Sequence, residues 1–120
     1  MQFISNQFFY SPSDLVTFME STFSSWMERV RLVDSSYSEL MDPEDEFMVM
    51  LQSKGQAHEL GFLSNLKNDG LEVKEIKKSD HVKMRGKTLE ALASGYDVIA
   101  QGCLTLDNLY GYADLLIKKP

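Results

Sequence analysis

The last quarter of the chain constrains its fold most tightly. Asp97 to Leu104 (DVIAQGCL) and Leu109 to Ile117 (LYGYADLLI) are two runs dominated by apolar residues, separated by a turn that carries Asp107-Asn108. Apolar runs of this kind, interrupted by turn residues, predict two strands paired as an antiparallel hairpin. Their continuity is that of strands buried in a sheet, so helices must cover them.

The preceding residues supply those helices. Ser11-Pro12-Ser13-Asp14 is a helix start: a serine N-cap, proline at the first helical position and an acid placed to reach back. Helical spacing follows through Leu15, Phe18, Met19, Trp26, Met27 and Val30, with a break predicted in the Ser/Thr-rich stretch Ser21 to Ser25. Residues 34–42 read as a loop. Asp42-Pro43-Glu44-Asp45 repeats the start signal and opens a helix to about Lys67. On it Phe47, Leu51, Lys54/Gly55, His58, Phe62 and Leu66 share one face. Asn68-Asp69-Gly70 ends it, with Gly70 in the left-handed conformation.

Leu71 to Ile76 alternates as a strand does, and Ser79-Asp80 opens a helix that Gly95 closes. Residues 1–10 read as a short extended arm. The order is α, α, β, α, β, β, which predicts an α/β fold: a small mixed or antiparallel sheet of ~3 strands flanked by helices, in a single domain over residues 1–120.

Composition narrows the function classes. With 18 acids against 12 bases the net charge is −6, a weak basis for neutralising phosphates, so any nucleic-acid surface must be local. The one cysteine, Cys103, excludes an internal disulfide and a cysteine-ligated iron–sulfur cluster, and fits a reducing, cytoplasmic setting. There is no signal-peptide pattern and no apolar stretch that reaches the ~20 residues of a membrane span.

Two residues stand out as carriers of chemistry. His58 lies on the apolar face of the long helix, in Lys54-Gly55-Gln56-Ala57-His58-Glu59. It reads either as a partly buried, hydrogen-bonded histidine or as a metal ligand. Asp114 sits among aliphatics in Gly111-Tyr112-Ala113-Asp114-Leu115-Leu116-Ile117. It either faces solvent on an edge strand or binds a hard cation, because a lone buried carboxylate is costly. Glu72-Val73-Lys74 and Glu75-Ile76-Lys77 have the E-x-K spelling, but a solvated strand face is spelled the same way. Cys103 reads as core, His81 as surface, and Trp26 with the Met-rich helix faces as core rather than a binding groove.

Several segments together resemble a known family. SPSDLVTFMES (11–21), KGQAHELGFLSNLKNDGLEVKEI (54–76), TLEALASGYDVIAQGCL (88–104) and LYGYADLLIK (109–118) are similar, in order, to the N-terminal part of RecB-like nucleases of the PD-(D/E)XK superfamily. The branch resembled is related to the CRISPR-associated RecB-like exonucleases. The resemblance implies an incomplete restriction-endonuclease-like core and metal-dependent phosphodiester hydrolysis on DNA. It makes His58 the helix-borne metal-proximal residue and Asp114, with Gly111, the G-x-x-D carboxylate. Both are then catalytic and metal-holding, with Mg²⁺ or Mn²⁺ as cofactor.

In the family a D/E-x-K strand and a Q-x-x-x-Y helix follow. Only six residues follow Asp114 here, and the two upstream E-x-K pairs come in the wrong order. The family's early cysteine is replaced by Ser21-Thr22-Phe23. The resemblance therefore implies weak metal binding and no appreciable nuclease activity for these 120 residues. The alternatives are a non-catalytic interaction module with a degenerate nuclease fold, and an unrelated small protein. A last strand without a partner would present an edge through which copies of the chain associate.

Overall fold

A computed structural model describes residues 1–120. They divide into two compact units: Met1–Met41 with Cys103–Tyr112, and Asp42–Gly102 with Ala113–Pro120.

The first unit opens with a hairpin, where the sequence reading gave only an extended arm. Strands β1 (Gln2–Ile4) and β2 (Gln7–Phe9) pair antiparallel around Ser5 and Asn6, whose φ values of 50° and 63° are both left-handed. That is the backbone a tight two-residue hairpin demands, and asparagine tolerates it better than serine does. Phe3 and Phe8 sit opposite each other with ring centroids 4.6 Å apart. Helix α1 (Pro12–Glu20) starts as its sequence predicts: the Ser11 backbone N–H and hydroxyl both donate to the Asp14 carboxylate, at 2.6 and 2.7 Å.

Ser21 ends α1 and caps α2 (Thr22–Val33), its hydroxyl accepting the Ser24 N–H at 3.1 Å. The Arg29 guanidinium of α2 lies 4.2 Å over the Phe8 ring and donates to the Tyr10 hydroxyl at 3.3 Å, tying α2 to the hairpin. A short 3₁₀ helix, Ser35–Leu40, occupies much of the stretch read as loop. Trp26 is 56 % exposed rather than core.

The second unit holds helix α3 (Glu46–Asn68), strand β3 (Val73–Glu75) and helix α4 (His81–Ser94). It also holds the bases of strands β4 (Val98–Leu106) and β5 (Leu109–Ile117), whose turn ends belong to the first unit. The N-cap of α3 is Asp45, which accepts the Phe47 N–H at 2.9 Å, so the Asp42-Pro43 signal lies just ahead of the helix. Gly70 and Gly95 take the left-handed φ of 86° and 78° that closes a helix at low cost.

The strand order is β3-β4-β5. β3 runs parallel to β4 with Val73 opposite Val98, and β4 turns into β5 through Asp107 and Asn108, giving a mixed sheet flanked by helices. The Asp97 carboxylate accepts the Glu72 N–H at 2.8 Å and pins the start of β3 to that of β4.

Burial concentrates on β4. Val98, Ile99 and Ala100 are at most 2 % exposed, and His81, Met84, Thr88 and Ala91 of α4 form a buried face at spacings of three and four. Fully burying an aliphatic side chain such as Ile99 contributes ~1.5–3 kcal/mol. Gly102 admits the close packing: a Cβ there would stand 2.8 Å from Leu116 Cδ1 and 3.4 Å from Thr88 Cγ2. No helix is long and apolar enough to cross a membrane.

His81 is only 3 % exposed, against the surface position read from sequence. It is the first residue of α4, so it falls on the buried face with Met84, three residues on. Burial pushes its imidazole below the ordinary histidine range, against the opposing pull of the Asp80 carboxylate. A lowered folded-state value means that the unfolded chain takes up the proton first. Stability is therefore full above the unfolded-state value of ~6.5 and falls as pH drops below it toward the folded value. Urea melts between pH 7.5 and pH 5 should show this loss, and His81→Gln should shrink it; an unchanged slope in that variant would assign the acid sensitivity elsewhere.

Candidate metal-proximal site

His58 and Asp114 reach the surface by different routes. His58 lies in the second half of α3, a helix of which only Leu63 is buried, and its side chain is exposed. Asp114 lies on β5, the edge strand of the three-stranded sheet, and is exposed as well. Neither is the partly buried group that a neighbour must neutralise. The two E-x-K pairs are also on the surface: Glu72, Lys74, Glu75 and Lys77 are all exposed, and Glu75 forms an ion pair with Lys67 at 3.3 Å. Cys103 is buried, as read from sequence.

The residue after His58 does have a defined partner. The Glu59 carboxylate accepts a hydrogen bond from the Gln101 side-chain amide at 2.6 Å. Gln101 belongs to β4, the central strand and the direct neighbour of β5. This bond fixes the turn of α3 that carries His58 against the strand beside Asp114.

Gln101 achieves this from an unusual backbone. Its φ is +57° in the middle of β4, a conformation that costs a non-glycine residue roughly 1–2 kcal/mol. Sequence reading passed over both Glu59 and Gln101. The available signal was a lone polar residue before a glycine in an otherwise apolar strand, the pattern of a bulge or a close backbone approach.

The set is not a complete cation site. No group of three or more His, Cys, Asp or Glu side chains gathers anywhere in the structure. An imidazole and one carboxylate offer two of the roughly six positions a magnesium ion requires. No hydrolytic step can be derived from these residues alone.

A cavity of about 680 Å³ lies elsewhere, in the first unit, lined by Leu15, Phe18, Leu104, Leu106, Leu109 and Tyr110 among others. Its one carboxylate, Asp14, is already engaged by Ser11 and by the Met1 amine at 2.6 Å. Burial works to raise the Asp14 carboxyl, but the ammonium and the Ser11 hydrogen bonds outweigh it and hold the group below its ordinary range. Burial, reinforced by Asp14, raises the Tyr110 hydroxyl. The cavity is open to solvent and largely apolar, and its one carboxylate is already engaged.

The chain matches no protein-family model, no curated protein and no solved structure.

The backbone at Gln101 sets a test. In a strand interior glycine ordinarily destabilises relative to alanine, but at a left-handed φ the order reverses. Gln101→Gly should be more stable than Gln101→Ala by ~1 kcal/mol in urea unfolding, both having lost the Glu59 bond. Equal stability, or alanine ahead, would show that residue 101 is not left-handed.

Proposed function

We propose that these 120 residues are the leading portion of a RecB-like, PD-(D/E)XK-type nuclease domain, with His58 and Asp114 as its first two metal-proximal residues. One observation carries the reading. The helix turn that bears His58 is bonded through Glu59 to Gln101 on β4, and β4 is the neighbour of the strand that bears Asp114. A histidine on a helix and a carboxylate on a hairpin strand are the residue types of the family pattern, and the helix and the strand each contact β4.

In a complete domain of this type the cation lowers the pKa of a water and neutralises charge on phosphate. The role of this chain's residues is narrower. His58 and Asp114 would supply one nitrogen and one oxygen ligand, and the Glu59–Gln101 bond tethers the helix turn next to His58 to β4. No D/E-x-K pair follows Asp114 within the 120 residues, so the third ligand and the water-positioning lysine are missing from them. Phosphodiester hydrolysis on DNA by Mg²⁺ or Mn²⁺ is proposed for the complete domain, in a cytoplasmic setting, and not for this stretch alone.

A second reading, a non-catalytic interaction module, is favoured by one feature. Phe47, Met48, Val49, Met50 and Leu51 of α3 are all between 42 and 60 % exposed, a surface better suited to a partner than to bulk water.

Titration with Mn²⁺ followed by NMR separates the two. The nuclease reading gives weak, saturable broadening centred on His58 and Asp114, lost in His58→Ala and in Asp114→Ala, with no cleavage of single- or double-stranded DNA by the chain itself. Tight binding centred elsewhere would refute it, and the absence of any specific broadening would leave the interaction module standing.

A further inference from the structure

We propose that the exposed lysines at the exit of β3 and along α4, namely Lys77, Lys78, Lys83 and Lys87, form a contact surface for the phosphate backbone of DNA. The choice of DNA among polyanions rests on the function proposed above. The surface itself rests on charge and geometry.

The first argument is the distribution of charge. Residues 74–87 hold six of the chain's 12 bases and two of its 18 acids, a net +4 within a chain of net −6. All six bases are exposed. Both acids are already engaged. Glu75 pairs with Lys67 from outside the segment, and Asp80 caps α4 by accepting the Lys83 N–H at 3.0 Å. The Lys83 ammonium lies 3.4 Å from Asp80, whereas Lys74, Lys77, Lys78, Arg85 and Lys87 enter no ion pair. A chain with more acids than bases has acids to spare, yet these bases stand together and uncompensated. Like charges gathered in this way repel one another and burden the folded state until an anion covers them.

The second argument is their placement. The Ile76 N–H donates to the Ala100 carbonyl at 3.0 Å, so the chain leaves β3 beside Ala100, and Lys77 and Lys78 begin the link to α4. Lys83 and Lys87, four residues apart, share one flank of α4 beside its buried face of His81, Met84, Thr88 and Ala91. Arg85 lies about 160° around the helix from both and is not part of the surface.

The third argument is proximity to the proposed cation site. The Lys118 N–H donates to the Asp97 carbonyl at 2.9 Å. Counting four residues back along β5 and four on along β4 sets Asp114 beside Gln101, the residue bonded to the turn that bears His58. β3 ends beside Ala100, at the same level. Strands lie about 4.8 Å apart, so the exit of β3 stands roughly two strand spacings, about 10 Å, from Asp114. A DNA backbone held on these lysines passes beside the two residues that the proposed chemistry uses. Lys118 and Lys119 stand instead at the level of Asp97, about 13 Å back along the strands, and serve as the control.

Fluorescence anisotropy of labelled single- and double-stranded oligonucleotides, in EDTA and over a range of salt, tests the proposal on the 120-residue chain. The expected result is weak binding that ignores base sequence and falls with salt. Lys77→Gln, Lys78→Gln and Lys87→Gln should each reduce the slope of log K against log salt by about 0.7 to 0.9, with circular dichroism unchanged. Lys118→Gln combined with Lys119→Gln should keep the wild-type slope. Because metal is absent, the readout is separate from that of the cation site: His58→Ala and Asp114→Ala should bind DNA as the wild type does, whatever the Mn²⁺ titration shows. No salt-dependent binding, a slope unchanged in the three lysine variants, or a slope lowered only by the Lys118 and Lys119 pair would overturn the proposal. Binding to phosphatidylglycerol vesicles in place of oligonucleotides would overturn it as well.

Discussion

The pairing of β4 with β3 on one side and β5 on the other is the constraint from which the rest of the structure follows. Three successive residues of β4, Val98, Ile99 and Ala100, are essentially inaccessible. A strand buried on both faces has to be covered, and α4 does so with Met84, Thr88 and Ala91. Because β3 and β4 are parallel, the chain between them must cross over, and α4 is that crossover. Because β4 and β5 are joined by a tight turn, the Gly111–Asp114 segment is delivered beside β4, and Tyr10 bridges the start of β5 through the Tyr110 N–H.

β4 also carries the one strained residue of the sheet interior. Gln101 turns left-handed just before Gly102, and the two act together. Gly102 makes room for Leu116, while Gln101 sends its amide to Glu59 on α3. That bond adds to the buried Leu63 and the Lys67–Glu75 ion pair in holding α3 on the sheet.

The elements legible in the sequence were those with local chemistry. Ser11-Pro12-Asp14, Ser21, Gly70, Gly95 and Asp107-Asn108 are caps and turns whose energetics lie within a few residues, and each acts where the sequence places it. The α/β class and the sheet with flanking helices follow from them. What was not legible depended on tertiary context. The Ser5-Asn6 turn lacks glycine, so the first hairpin went unseen. The parallel partner of β3 has no local signature. His81 and Trp26 exchanged the environments read for them, because a helical period shows which residues share a face and not whether that face is covered. The same limit applies to α3, whose apolar stripe predicts burial yet stays largely open. His58 and Asp114 were legible as candidates through a resemblance, whereas Glu59 and Gln101 emerged only from the fold.

The central proposal is that His58 and Asp114 serve one cation. A crystal structure of the chain grown with Mg²⁺ tests it most directly. The predicted result is a single ion with a His58 ring nitrogen and an Asp114 carboxylate oxygen each at about 2.1 Å and water in the remaining positions. An ion bound elsewhere, or the two side chains projecting from opposite faces of the structure, would contradict it.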